Sequence, residues 1–423
     1  MISGVQRALT VLGANRWFWL LLVAGLIAVA GGLTGTGEPR TRVASVYLRW
    51  GYNILLPTGQ EDPQPLFNPL PAGYRIETVL SGLDRPSALA ATPDGRLLVT
   101  EQAGTVRIVE NGRLLSEPFV TLDVFLTTDV GLVGITVDPE FTENGFVYFL
   151  YPAEDPRRTV VARVRDAGGR ATDLEEIFSW ENTVIHHVGG ERRIVPVIQH
   201  VGGGLRFAPD GTLLVGLGDH ERINLAQNRL NPIGAILRLT RDGLWPADNP
   251  FVGPVFAYGL RNPFSIAIDP ETGRIFAGEN GFLGQDAIVE IKAGANYGWP
   301  GPGLLLPGQV VLPPNLQAPD GEVEEPLLFY HNSLGMAGME FYSSDVLSEF
   351  KGHLFFCQVN GGGALHEIEF NDDGSVRRDA IRAPGCMTGV TTGADGFLYF
   401  MNYIEGTLYR IAAGSGEEDD ASS

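Results

Sequence analysis

A histidine stands at the mouth of a Gly-rich turn in Gln199-His200-Val201-Gly202-Gly203-Gly204. An imidazole titrates near neutral pH and can take a proton from a group within hydrogen-bond reach, so His200 is a candidate general base. The segment continues as Leu205-Arg206-Phe207, a Pro209-Asp210-Gly211 turn, Thr212-Leu213-Leu214-Val215, and a Gly218-Asp219 exit. A β-hairpin therefore delivers the base, and Asp219 reads as a structural turn acid. His186, His187, His200 and His220 fall within 35 residues, and His-Val-Gly-Gly occurs at both His187 and His200. Their spacings match no common zinc pattern, which favours solvated or turn-bound histidines over a metal centre. The Gly-rich segments sit between hairpins and not at a strand-to-helix step, which argues against a dinucleotide site.

The turn that follows His200 recurs. Pro93-Asp94-Gly95, Asn144-Gly145, Pro209-Asp210-Gly211, Glu271-Thr272-Gly273, Lys351-Gly352 and Ala394-Asp395-Gly396 each precede a short run of β-branched, aliphatic or aromatic residues. Asp-Gly and Asn-Gly supply the backbone of tight hairpins, and such runs suit buried strands. A single small sheet cannot bury both faces until neighbours cover it, so six copies predict an all-β, six-bladed β-propeller over residues 74–412.

Composition agrees, with 55 Gly and 28 Pro in 423 residues and 44% hydrophobic content. The net charge of −20 argues against nucleic acid as a partner, since neutralising phosphates takes clustered Lys and Arg. Trp17–Leu33 is an apolar run after Arg7 and Arg16, so residues 1–35 read as a signal anchor or signal peptide. Residues 36–73 read as a linker or stalk and 413–423 as an acidic tail. The propeller would then be extracytoplasmic, periplasmic or at the cell surface, either secreted or joined to the membrane by an uncleaved N-terminal helix. In that setting Cys357 and Cys386 could pair across adjacent blades or remain isolated core cysteines.

The ordered motifs Gly82-Leu83-x-x-Pro86, Pro93 to Glu101, Gly131-Leu132-Val133-Gly134, the His200 segment and Asp248-Asn249-Pro250-Phe251 carry a resemblance. They continue with Gly259-Leu260-Arg261-Asn262-Pro263, Glu279-Asn280-Gly281 and Gly294 to Pro300. Over about residues 74–412 the chain resembles the glucose/sorbosone dehydrogenase family, the soluble aldose dehydrogenases that use pyrroloquinoline quinone on a six-bladed propeller. The resemblance implies that His200 is the general base on a sugar or polyol hydroxyl while hydride passes to the quinone. It implies that Arg261 acts on cofactor and substrate oxygens as a catalytic and cofactor-binding residue, with Asn262 beside it. Asp129 would face the cofactor, and the carbonyls of Gly281 and Phe282 would hold a calcium ion against the quinone.

The chain departs from the family pattern in three places. Phe282 replaces a proline, and Ala287 stands where a second calcium site, completed by the Tyr297 carbonyl, has a glutamate. Where the family meets the three quinone carboxylates with a lysine and an arginine pair, this chain has Asn360 and the segment Gly385 to Val390, with Arg382 offset. Unpaired buried charge is costly, so these changes predict weakened quinone binding. Three readings follow: a quinone-dependent sugar or alcohol dehydrogenase, a calcium-dependent lactonase-type hydrolase with Asp129, Asn262 and Glu279 as ligands, or a catalytically silent propeller that binds a glycan or protein.

Overall fold

The computed structural model describes residues 66–127, 130–154, 158–181, 183–188, 191–196, 199–282, 284–300 and 322–413. The apolar run Trp17–Leu33, most of the stalk, Asp129 and the acidic tail lie outside the described residues.

Among the described residues six sheets form the blades, antiparallel but for one outer strand, and Thr183–Val188 with Glu191–Pro196 makes a separate two-stranded sheet. The innermost strands of the blades are Pro86–Ala91, Gly134–Val137, Leu205–Phe207, Pro263–Ile268, Met336–Phe341 and Val390–Thr392. Each packs beside the next, and the sixth packs beside the first, so the ring is closed. The sixth blade is made from both ends of the propeller, because Tyr74–Ser81 pairs with Thr407–Ala413. Closure covers the faces of every blade and leaves the outermost strands as sheet edges. The stretch read as a stalk contributes Leu66–Phe67, which runs parallel to Val376–Pro384 on the outside of blade five.

All six sequence turns join the innermost strand of a blade to its second strand. Their glycines all have positive φ, from 69° at Gly145 to 94° at Gly95, a backbone region that side chains with a Cβ adopt at a cost. Turns that repeat in sequence therefore mark one end of the molecule, and the residues that precede each innermost strand mark the other.

Strand alternation builds the core. In Phe146–Ala153, Val147 and Phe149 pack with Leu98, Val106 and Ile108 of blade one. The intervening Tyr148 and Leu150 pack with Leu213, Val215 and Leu237 of blade three. Successive side chains of a strand point to opposite faces, so a continuous apolar run is what a strand covered on both sides requires. Equivalent clusters fill the remaining junctions between neighbouring blades. Cys357 in the second strand of blade five and Cys386 in the segment leading to blade six form a disulfide, both buried.

Candidate active site

His200 lies just before the innermost strand of blade three, and Arg261 and Asn262 directly precede that of blade four. The topology thus brings them to one end of the ring across 61 residues of sequence. His200 has φ 55°, and Gly202, two residues on, has φ 86°. A Cβ on Gly202 would sit 2.0 Å from the Gly216 carbonyl oxygen, so only glycine lets this turn press against the second strand.

The imidazole is held from both sides. Its Nδ1 is 2.8 Å from Oδ1 of Asp219, and its Nε2 is 2.7 Å from Nη2 of Arg261. A carboxylate accepts and a guanidinium donates, so these partners assign the ring proton to Nδ1 and the lone pair to Nε2. The His200 side chain keeps 16% of its surface exposed while that of Asp219 has none. Asp219 also accepts from the Trp299 indole at 2.9 Å and from the Glu221 amide at 2.9 Å. Asp219 therefore does close a turn, as its sequence setting indicates, and in addition it orients the candidate base. Spacing alone conceals this second role because Asp219 leaves the second strand at the level where His200 enters the first.

Arg261 also donates through Nη1 to the Asn280 carbonyl at 2.7 Å, and its guanidinium lies 5.9 Å from the Trp299 ring. The Phe282 ring is 5.9 Å from Trp299 on the same rim. Trp299 is a residue that sequence reasoning left without a role, although it closes the quoted Gly294 to Pro300 motif.

Glu279 ends the second strand of blade four and is buried. Its Oε1 accepts the backbone amides of Arg261, at 2.6 Å, and Asn262, at 3.0 Å. Burial pushes its carboxyl up to about 8, against the two amides and Arg261, which favour the ionised form. Asn262 uses its Oδ1 on the Gly202 amide at 3.1 Å, fastening blade four to blade three. Two of the three ligands imagined for a lactonase ion, Asn262 and Glu279, thus direct oxygens at backbone amides, and the third, Asp129, is outside the described residues.

The turn that carries Gly281 and Phe282 is anchored by Asp286, whose carboxylate accepts the amides of Gly281, Leu334 and Gly335 at 2.8–2.9 Å. Ala287 is buried in the third strand of blade four and offers no oxygen toward Tyr297, whose hydroxyl bonds Glu290 and Lys292 backbone. A second calcium site does not fit there. His220 is fully buried beside His200, with burial pushing its ring down to about 3, so it is neutral. The backbones of His186 and His187 lie in the hairpin Thr183–Val188 with Glu191–Pro196.

The fit of a tricarboxylated quinone differs around the rim. The His200–Arg261 corner pairs a lone pair with a fixed cation, which suits a hydroxyl and a quinone oxygen. In blade five, Asn360 donates to the carbonyl and hydroxyl of Ser333 at 2.9 and 3.1 Å, and in blade six Met387 is buried. Arg382 is buried against Glu367 and donates to the Asn68 and Pro69 carbonyls, so it is committed to the outside of blade five. Arg206 pairs with Glu340 at 2.9 Å beside a cavity of about 700 Å³ at the turn end of the ring, away from His200. The group fits at the His200–Arg261 corner, and neither Arg382 nor Arg206 replaces the missing cations.

Fold and site together define a closed six-bladed propeller with a carboxylate–histidine–arginine cluster on one rim. Residues 83–410 match the family model for glucose/sorbosone dehydrogenase, and the chain belongs to that family. It is 32% identical over 363 residues to an uncharacterised Synechocystis protein, covering 79% of this chain and 85% of the relative. It is 28% identical over 366 residues to an Escherichia coli aldose sugar dehydrogenase, covering 81% of this chain and 94% of the relative. The structure of a Streptomyces coelicolor aldose sugar dehydrogenase in its pyrroloquinoline-quinone-bound form shares the fold, with TM-score 0.63 at 24% identity over 81% of this chain and 99% of that one.

Proposed function

We propose that the protein is an exported, quinone-dependent sugar or polyol dehydrogenase in which His200 takes the proton of the substrate hydroxyl as hydride leaves the same carbon. The observation that carries this reading is the relay Asp219–His200–Arg261, with the imidazole lone pair on Nε2 at the rim. Pyrroloquinoline quinone, the group named in the Streptomyces relative's structure, would supply a carbonyl that accepts the hydride and is reduced to the quinol.

The chain's own residues then have separable tasks. Nε2, whose lone pair accepts the Arg261 Nη2 N–H until that donor turns to a ligand oxygen, then receives the proton, while Asp219 holds the ring by Nδ1 and balances the charge that arrives on it. Arg261 stays a cation throughout and stabilises negative charge growing on a neighbouring oxygen, from a position fixed by Glu279 and Asn280 before any ligand enters. Asn262 would support the cofactor through its side-chain amide nitrogen. The Gly281 and Phe282 carbonyls are the ligands available to a calcium ion. The Cys357–Cys386 disulfide supports export, because such bonds persist in oxidising compartments.

The test is aldose- or polyol-dependent dye reduction by protein supplied with the quinone and calcium, compared with His200→Ala. Activity in the parent and its loss in the variant, with an unchanged far-ultraviolet circular dichroism spectrum, is the expected result. Equal activity in both removes His200 from the mechanism.

A further inference from the structure

The motif Gly82-Leu83-Asp84-Arg85-Pro86 has no task in the reaction as described, yet its structure repeats that of Gly259-Leu260-Arg261-Asn262-Pro263. Pro86 pairs with Glu101 and Pro263 with Glu279, each followed by a shift of register in the innermost strand. Oε1 of Glu101 accepts the Asp84 amide at 2.9 Å, as Oε1 of Glu279 accepts the Arg261 amide at 2.6 Å. The Gln102 amide donates to the Arg85 carbonyl at 3.0 Å, and the Asn280 amide to the Asn262 carbonyl at 3.1 Å. Gly82 and Gly259 both have positive φ. Arg85 therefore holds in blade one the chain position that Asn262 holds in blade four, although Arg85 has φ 48° and Asn262 no positive φ, and in a ring of six these blades are opposite each other.

Chain order sets which blade lies beside the Arg85 segment. Asn262 bonds the preceding blade, at Gly202 of blade three. The blade that precedes Arg85 is blade six, and contact is already made there, with the Thr388 hydroxyl donating to the Pro86 carbonyl at 2.7 Å. Thr388 lies in Gly385 to Val390, the segment that lacks the family's arginine pair. Among the described residues the Arg85 guanidinium has one loose ion pair, 3.6 Å to the exposed Asp84, and its side chain is half exposed. A cation so placed costs little to redirect toward a ligand.

We propose that Arg85 is a binding residue for the carboxylates of the quinone, supplying from blade one, opposite Arg261, positive charge that blades five and six lack. This rests on the quinone-dependent reading above. A charge-assisted contact of this kind has a worth of roughly ten- to a hundredfold in affinity.

The test is titration of the full chain, followed by tryptophan fluorescence, with pyrroloquinoline quinone and with phenanthrenequinone, a neutral ortho-quinone. Arg85→Asn installs the residue found at the equivalent position, and asparagine tolerates the φ of 48° there, so folding is retained and is checked by thermal melting. Arg85→Asn is expected to weaken the carboxylated quinone about ten- to a hundredfold while leaving the neutral quinone within about twofold, and Arg85→Lys to recover most of the loss. Unchanged affinity for the carboxylated quinone in Arg85→Asn overturns this inference alone. Parent protein that binds neither quinone overturns the cofactor reading as well. If Arg85→Asn instead weakens glucuronate relative to glucose and spares both quinones, the carboxylate recognised belongs to the substrate and the proposal is wrong as stated.

Discussion

Asp219→Asn isolates the part of the proposed mechanism that the tertiary structure supplies. The carboxylate is inaccessible to solvent and meets three donors, His200 Nδ1, the Glu221 amide and the Trp299 indole. An asparagine of the same shape offers one oxygen and one amide nitrogen. If the oxygen stays with His200 and Glu221, the new N–H groups confront the indole N–H. If the amide turns over, the imidazole must give up its Nδ1 proton and with it the lone pair on Nε2. Either way a buried donor is left unmatched, at a cost of about 1–3 kcal/mol in stability. The catalytic loss is larger, because the charge that reaches the imidazole is no longer balanced. Two unit charges about 4 Å apart in a medium of effective dielectric constant about 20 interact by about 4 kcal/mol, roughly a thousandfold in rate. Arg261 stays close and opposes part of the Asp219 effect, so a fall in kcat of about a hundred- to a thousandfold is expected, with KM changing far less. Steady-state dye reduction across a pH series would measure both constants and show whether the profile of kcat/KM is displaced, which a purely structural change would not do. A kcat within about threefold of the parent, with the melting temperature lowered, would reduce Asp219 to the turn acid its local sequence suggests and refute the relay.

Acid stability and the disulfide give two more tests. His220 is buried with its folded value near 3, below the ordinary imidazole value of 6.5, so the unfolded chain binds a proton that the folded chain rejects between those limits. Stability from this residue is complete above about pH 6.5 and declines as pH falls toward 3, with a limiting slope of about 1.4 kcal/mol per pH unit. His220→Gln should flatten that part of the profile in urea titrations, and an unaltered slope would show that other groups set it. Replacing Cys357 and Cys386 with serine opens a loop of sequence separation 29, for which chain entropy gives a loss of about 3–4 kcal/mol. Chemical denaturation should show it, and a loss under about 1 kcal/mol would mean that blade packing alone fixes the two segments.

Much of the architecture is written locally. The six Gly-containing turns and the apolar runs beyond them announce the blades because hairpin geometry and strand burial are decided by a few adjacent residues, and all six turns fall at the same place in their blades. The order of motifs places His200, Arg261 and Asn262 in the family, and the geometry brings them to one rim. What the chain could not disclose by itself is partnership across blades. Asp219 resembles any turn acid until the ring sets it under His200 and Trp299. Glu279, which could pass for a metal ligand, turns out to hold the amides of Arg261 and Asn262. Arg382, near in sequence to the missing clamp, is drawn into an ion pair on the outside of its blade. The likeness of Gly82–Pro86 to Gly259–Pro263 is visible as a pattern of letters, but its meaning needs the closed ring, which sets blades one and four opposite each other. Turn and strand preferences act over neighbouring residues and survive in the sequence; hydrogen bonds and ion pairs between distant side chains depend on where closure of the propeller leaves them.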